Sequence, residues 1–75
     1  MRELVEYLTR SLVSDPDAVS VEEIESGRVL VYEVSVADED VGKIIGRQGK
    51  VIRAIRSVVK AAATRAGTRV DIDVV

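Results

Sequence analysis

The sequence predicts an α+β fold in which three helices pack on one face of a three-stranded sheet, in the order helix, strand, strand, helix, helix, strand. Two observations carry this expectation. Apolar residues recur at helical spacing in some segments and alternate in others. Glycine, proline and short acidic runs punctuate the boundaries between those segments. Three strands and three helices in this order suit a sandwich with one sheet face covered. The 75 residues fit one domain spanning 1–75.

Residues 2–13 read as a helix, because Leu4, Val5, Leu8, Leu12 and Val13 repeat near helical spacing. Asp15-Pro16-Asp17 stops it, since Pro16 disfavours helical geometry in the residue before it. Residues 18–25 and 28–37 read as two strands joined at Ser26-Gly27. In the second strand Leu30, Tyr32, Val34 and Val36 alternate onto the expected buried face. In the first the parity shifts between Val21 and Ile24, which a bulge or a short strand explains. Asp38-Glu39-Asp40 suits a helix N-terminus, where acids meet the positive end of the dipole. A short helix follows, over residues 39–45, with Val41, Ile44 and Ile45 apolar. Gly46 ends it and Gly49 precedes the next, over residues 50–66. That helix is amphipathic, with Ile52, Ile55, Val59, Ala62, Ala63 and Ala66 as its apolar stripe. Gly67 stops it. Residues 69–75 form the last strand, with Val70, Ile72 and Val74 alternating against Asp71 and Asp73.

The chain has no cysteine and no histidine. Disulfides, thiolate chemistry, the usual general base and the common zinc ligands are therefore excluded. No nucleophile–base pair is present, and neither enzyme activity nor a cofactor nor a small-molecule substrate is expected. A domain this small has a thin stability margin, and association with a second chain is a source of more. The opening residues, Met1-Arg2-Glu3-Leu4-Val5-Glu6, lack the apolar core of a signal peptide, and no apolar run is long enough to span a bilayer. A cytoplasmic location is expected.

Net charge is −2, yet the charge is segregated. Lys43, Arg47, Lys50, Arg53, Arg56, Lys60, Arg65 and Arg69 fall in residues 41–70, which hold no acid. Residues 1–40 hold eleven acids against Arg2, Arg10 and Arg28. One face should therefore attract polyanions while the rest keeps the molecule soluble.

The informative stretch is Val41-Gly42-Lys43-Ile44-Ile45-Gly46-Arg47-Gln48-Gly49-Lys50-Val51-Ile52. Gly46 and Gly49 let the backbone turn tightly and approach a ligand, and Gly49 opens a helix whose N-terminus favours phosphate. Arg47 and Gln48 project from the loop tip, Lys43 and Lys50 flank it, and Arg53 lies within reach. Arg56 and Lys60 read equally well as a solvated helix face, and Arg65 and Arg69 as compensation for the helix C-terminus. The stretch resembles the KH-domain signature, an apolar pair, a Gly-x-x-Gly loop and a following isoleucine between two helices. The element order resembles the type II, bacterial arrangement, and the whole chain is similar to the small stand-alone KH proteins of the KhpA type.

That resemblance implies single-stranded RNA clamped at Gly46-Arg47-Gln48-Gly49, about four nucleotides in length. It also implies an apolar groove for the bases among Val41, Ile44, Ile45 and Ile52, some of which must double as core. It further implies a homodimer or a pairing with a larger KH-containing protein, an RNA-chaperone role, and effects on gene expression, cell-wall homeostasis and cell length. Only Tyr7 and Tyr32 are aromatic, so the stacking platform of an RRM is excluded. Binding should be weak and undemanding of sequence, since phosphate contacts position a strand without reading it.

Other glycine motifs fail. A P-loop needs Ser or Thr after Gly49-Lys50, where Val51 stands, and a glycine where Ile44 stands. Helix-turn-helix DNA binding shares the two helices and short turn, but two glycines at fixed spacing and three strands speak against it. A protein-interaction module, with RNA binding secondary, is the remaining alternative. An acidic loop residue would favour it, and the loop has none.

Overall fold

Strand β2 (Val29–Ser35) is the centre of the sheet in the computed structural model, which describes residues 1–75. Strand β1 (Ser20–Ser26) pairs with it antiparallel on one side, and β3 (Arg69–Val74) pairs parallel on the other. Helix α1 (Arg2–Leu12) lies over β1, and α3 (Lys50–Ala66) over β3. The short α2 (Val41–Ile45) packs against both helices. The order and the one-sided helical layer are those expected.

The core lies between the two layers. Val5 of α1, Tyr32 and Val34 of β2, Ile44 of α2, Ile52, Ile55, Val59 and Ala63 of α3, and Val70 and Ile72 of β3 form one buried cluster. Two polar groups in or beside it are satisfied. The Thr9 hydroxyl, buried on α1, donates to the Val5 carbonyl at 2.8 Å. The Tyr32 hydroxyl donates to Glu23 Oε1 at 2.8 Å. Burial, then that bond and the Glu23 charge, push the phenol up to about 12.

Boundaries differ from the expected ones by a few residues, for local reasons. Helix α1 ends at Leu12, because Val13 is already extended. Pro16–Ala18 forms a single 3-10 turn, so β1 begins only at Ser20. The reverse turn falls at Gly27-Arg28 rather than Ser26-Gly27. Asp38–Asp40 is likewise a 3-10 turn, not the first turn of α2. On α3 the apolar stripe fades at its end, where Ala66 is exposed.

Strand β1 contains no bulge. Its pairing runs unbroken from Ser20 opposite Ser35 to Ser26 opposite Val29. Directly opposed residues share a face, so Ile24 joins Val31 on the open side of the sheet, where it is 39% exposed. The parity shift in the sequence reflects an apolar residue facing outward. On that open face Glu22, Glu33 and Asp73 stand in one row across the three strands.

Candidate nucleic-acid interface

The loop between α2 and α3 is built by backbone geometry. The Gly46 N–H closes α2 by donating to the Gly42 carbonyl at 2.8 Å. Gly46 then adopts φ +75°, ψ 170°, a region that side chains essentially exclude. A Cβ there would lie 2.3 Å from Val51 Cγ2 and 2.8 Å from the Val51 nitrogen, so the loop and the first turn of α3 touch through the missing side chain. Gln48 (φ +57°) and Gly49 (φ +73°) are both left-handed, and the Gly49 N–H returns to the Gly46 carbonyl at 3.1 Å. The chain therefore turns from α2 into α3 within four residues.

Arg47 and Gln48 are exposed at the tip, and Lys50 and Arg53 are exposed just beyond it. The Arg53 guanidinium folds back over Gly49, its Nη1 lying 3.7 Å from where a Cβ would stand. No side chain caps the N-terminus of α3, although the Lys50 N–H donates to the Arg47 carbonyl, and the positive end of the helix dipole lies beside these cations. The four apolar candidates separate cleanly. Ile44 and Ile52 are core, at 1% and 6% exposure, whereas Val41 and Ile45 are half-buried.

Lys43 faces another direction. Its Nζ lies 3.4 Å from Asp40 Oδ1 and donates to the Ser14 hydroxyl. Asp40 is the residue that sequence reasoning missed. It is fully buried, and it does not cap α2. Its two oxygens instead accept the backbone N–H groups of Ser14 and Asp15, each at 3.0 Å. The start of the loop-bearing helix is thereby pinned to the turn that follows α1. The only sequence signal was an acid beside α2, which read as a dipole contact.

The Ser14 N–H, more than any other neighbour, holds the Asp40 carboxyl below the usual carboxylate range. Burial opposes this, and the Asp15 N–H and Lys43 add to it. A depressed folded pKa means that Asp40 stabilises the fold fully above its unfolded value, about 3.8, and loses that contribution as pH falls through the folded value. Thermal unfolding followed from pH 7 to pH 2 should therefore show a step below the unfolded value. Asp40→Asn should lower Tm by several degrees at neutral pH and flatten the step. An acid profile unchanged by the substitution would remove Asp40 as the pin.

Arg56 is also committed. Its Nε and Nη2 both donate to the Ile72 carbonyl, at 3.2 and 2.9 Å, and Nε lies 3.6 Å from Asp71 Oδ1. The Ile72 N–H donates to that same carboxylate oxygen at 2.8 Å. Arg56 thus ties α3 to β3, while Lys60 remains exposed and outside every ion pair.

A second feature of the helical layer is an apolar groove between α1 and α3. It encloses about 330 Å³ and is lined by Leu8, Leu12, Val51, Ala54 and Val58, with Lys50 at its rim. Leu12 and Val58 are 43% and 49% exposed.

Comparison with known proteins identifies the family and the fold. Residues 2–74 match the family model described as KhpA/KhpB, KH domain. A protein of Caldanaerobacter subterraneus subsp. tengcongensis called RNA-binding protein KhpA is 45% identical over the full length of both chains. One of the same name from Halalkalibacterium halodurans is 47% identical, over all of this chain and 99% of that one. In shape, the chain superposes on part of Era from Aquifex aeolicus, crystallised with GDP and AlF4−, with a TM-score of 0.70 and 19% identity. The match takes in 97% of this chain and 28% of that one. Era in complex with MgGDPNP and nucleotides 1506–1542 of 16S ribosomal RNA gives a TM-score of 0.67 at 21% identity, over 99% of this chain and 30% of the other. The fold is the type II KH fold.

Proposed function

This chain belongs to the KhpA/KhpB KH-domain family, and on that premise we propose that it binds single-stranded RNA through Gly46-Arg47-Gln48-Gly49. The observation that carries the reading is the loop itself. Two left-handed residues hold Arg47 and Gln48 outward at the uncapped start of α3, with Arg53 folded over Gly49. Sugar-phosphate meets two guanidinium groups and helix dipole there, and Lys50 adds charge. Lys43 contributes less, because Asp40 and Ser14 already engage it. Val41 and Ile45, half-buried beside the loop, offer apolar surface to bases, while Ile44 and Ile52 support that surface from the core.

We read the 75 residues as one binding unit acting in the cytoplasm as a post-transcriptional regulator or RNA chaperone, with effects on cell-wall homeostasis and cell length. The names of the relatives, RNA-binding protein KhpA, support RNA as the ligand. Titration of a fluorescent single strand against a duplex of the same sequence tests this. The single strand should bind at low salt, with log K falling against log [salt] at a slope of roughly −2 to −3, at ~0.7 per phosphate bound. Preference for the duplex, or no binding at low salt, would refute it.

The α1–α3 groove is the surface we assign to a second KH-containing chain, either another copy or a larger partner. Apolar area beside a small core supports this, since association adds burial that 75 residues cannot supply alone. Val58→Glu places a carboxylate in the groove at an exposed site. Sedimentation should then show a folded monomer where the wild type self-associates. A wild-type dimer that survives the substitution would place the interface elsewhere.

A further inference from the structure

Strand β1 has β2 on one side and no strand on the other. Alternate residues of a strand send their N–H and C=O groups to opposite sides. Just past β3, the Val75 N–H donates to the Val34 carbonyl at 3.0 Å, so Val34, and with it Tyr32 and Leu30, serves β3. Val31 and Glu33 therefore serve β1, and their partners Ile24 and Glu22 spend their backbone groups on them. That leaves the N–H and C=O of Val21, Glu23 and Glu25 directed away from the sheet. No backbone group of Ser20–Ser26 bonds to a side chain, and none enters a backbone bond outside the strand pairing.

The strand is also fit to be paired. Its seven residues run without a bulge or a proline, and all but Val21 are exposed. Glu22, Glu23 and Glu25 are its only charged residues, and Glu22 and Glu25 belong to no ion pair. Like charges directly opposed destabilise a strand pair, and opposite charges stabilise it. A second copy laid along β1 would bring acids against acids. A segment carrying lysine or arginine would instead meet carboxylates on both faces of the strand. Glu22 stands beside exposed Ile24 on the open face of the sheet, and Glu25 stands on the other face.

We propose that β1 takes up an extended basic segment of another protein as an added strand. Main-chain bonds to Val21, Glu23 and Glu25 supply the affinity. The carboxylates, with Ile24 as an apolar contact, select a segment in which basic and apolar residues alternate. The site does not draw on the loop reading. RNA and a basic segment would be held at separate places on one molecule.

The probe is a peptide of alternating lysine and valine, matched in length to the seven residues of β1. Binding to the full chain is followed residue by residue by NMR. The amides of Val21, Glu23 and Glu25 should exchange with solvent about tenfold more slowly with peptide at about ten times its Kd. Their proton signals should move downfield, while those of Glu22 and Ile24, bonded to β2 throughout, move less. Glu22→Gln combined with Glu25→Gln should bind the peptide between about twofold and thirtyfold more weakly, as two cross-strand charge pairs are lost. The same peptide with every backbone nitrogen methylated keeps its charge but cannot donate, and should not bind. Equal binding of the methylated peptide would reduce the effect to bulk charge and overturn the proposal. Failure of the unmethylated peptide to bind, or signals moving on β3 rather than β1, would also overturn it. Slow exchange at the three amides in the chain alone, growing with protein concentration, would give the strand to a second copy and overturn it too.

Discussion

Arg47→Asp combined with Gln48→Asp should weaken RNA binding by a factor of at least about 100, or ~2.8 kcal/mol at ~1.4 kcal/mol per tenfold. The change removes a guanidinium from the tip of the loop and sets two carboxylates where phosphate oxygens would come. The fold should survive, because both side chains are exposed and the left-handed backbone at Gln48 is one that Asp tolerates better than most residues. Fluorescence anisotropy with a labelled single strand, beside circular dichroism and thermal melting, separates the two effects. Retained binding in the folded variant would move the clamp off the loop and favour an interaction module.

Gly46→Ala should act in the opposite way, on the fold before the ligand. An alanine at φ +75°, ψ 170° carries backbone strain of about 1–3 kcal/mol. Its methyl would also drive into Val51, whose nitrogen and Cβ stand 2.8 and 2.7 Å away, and forcing atoms into a packed site costs another ~1–3 kcal/mol. The sum is comparable with the total stability of a chain this size, about 4–11 kcal/mol, so the variant should be largely unfolded at 37 °C. Val51→Ala relieves the clash with Cγ2 but not those with Cβ and nitrogen, and should rescue it only in part. Gly49→Ala is the internal control. Its Cβ would meet only the movable end of Arg53, at 3.7 Å, and should cost about 1–2 kcal/mol, the left-handed strain alone. Urea denaturation of the three variants reads the ranking, and equal costs at Gly46 and Gly49 would refute it.

The two glycines also mark how far the sequence could be read. Their spacing predicted the loop, and their flanking periodicities predicted the helices and strands around it. What periodicity could not assign was ownership. Ile44 and Val41 look alike in sequence, and only the packing of α2 against the rest of the molecule makes one core and the other surface. The parity shift in β1 resolved as Ile24 facing open solvent beside Val31, because strand pairing rather than apolar pattern fixes the register there. Asp40 was illegible for a different reason. Its partners, the N–H groups of Ser14 and Asp15, are backbone groups far away along the chain, and no side-chain pattern encodes them. Arg56 likewise took its meaning from the Ile72 carbonyl, a backbone atom of the last strand.

That bond to the last strand bears on a hazard common to small open sheets. β3 is an edge strand, and an edge with idle N–H and C=O groups invites pairing with another chain. At the middle of this edge both groups of Ile72 are taken, the carbonyl by Arg56 and the N–H by Asp71. A stray strand would have to displace a charged pair before it could form its first hydrogen bonds. Copies of the protein are thus discouraged from joining through β3 into an extended sheet.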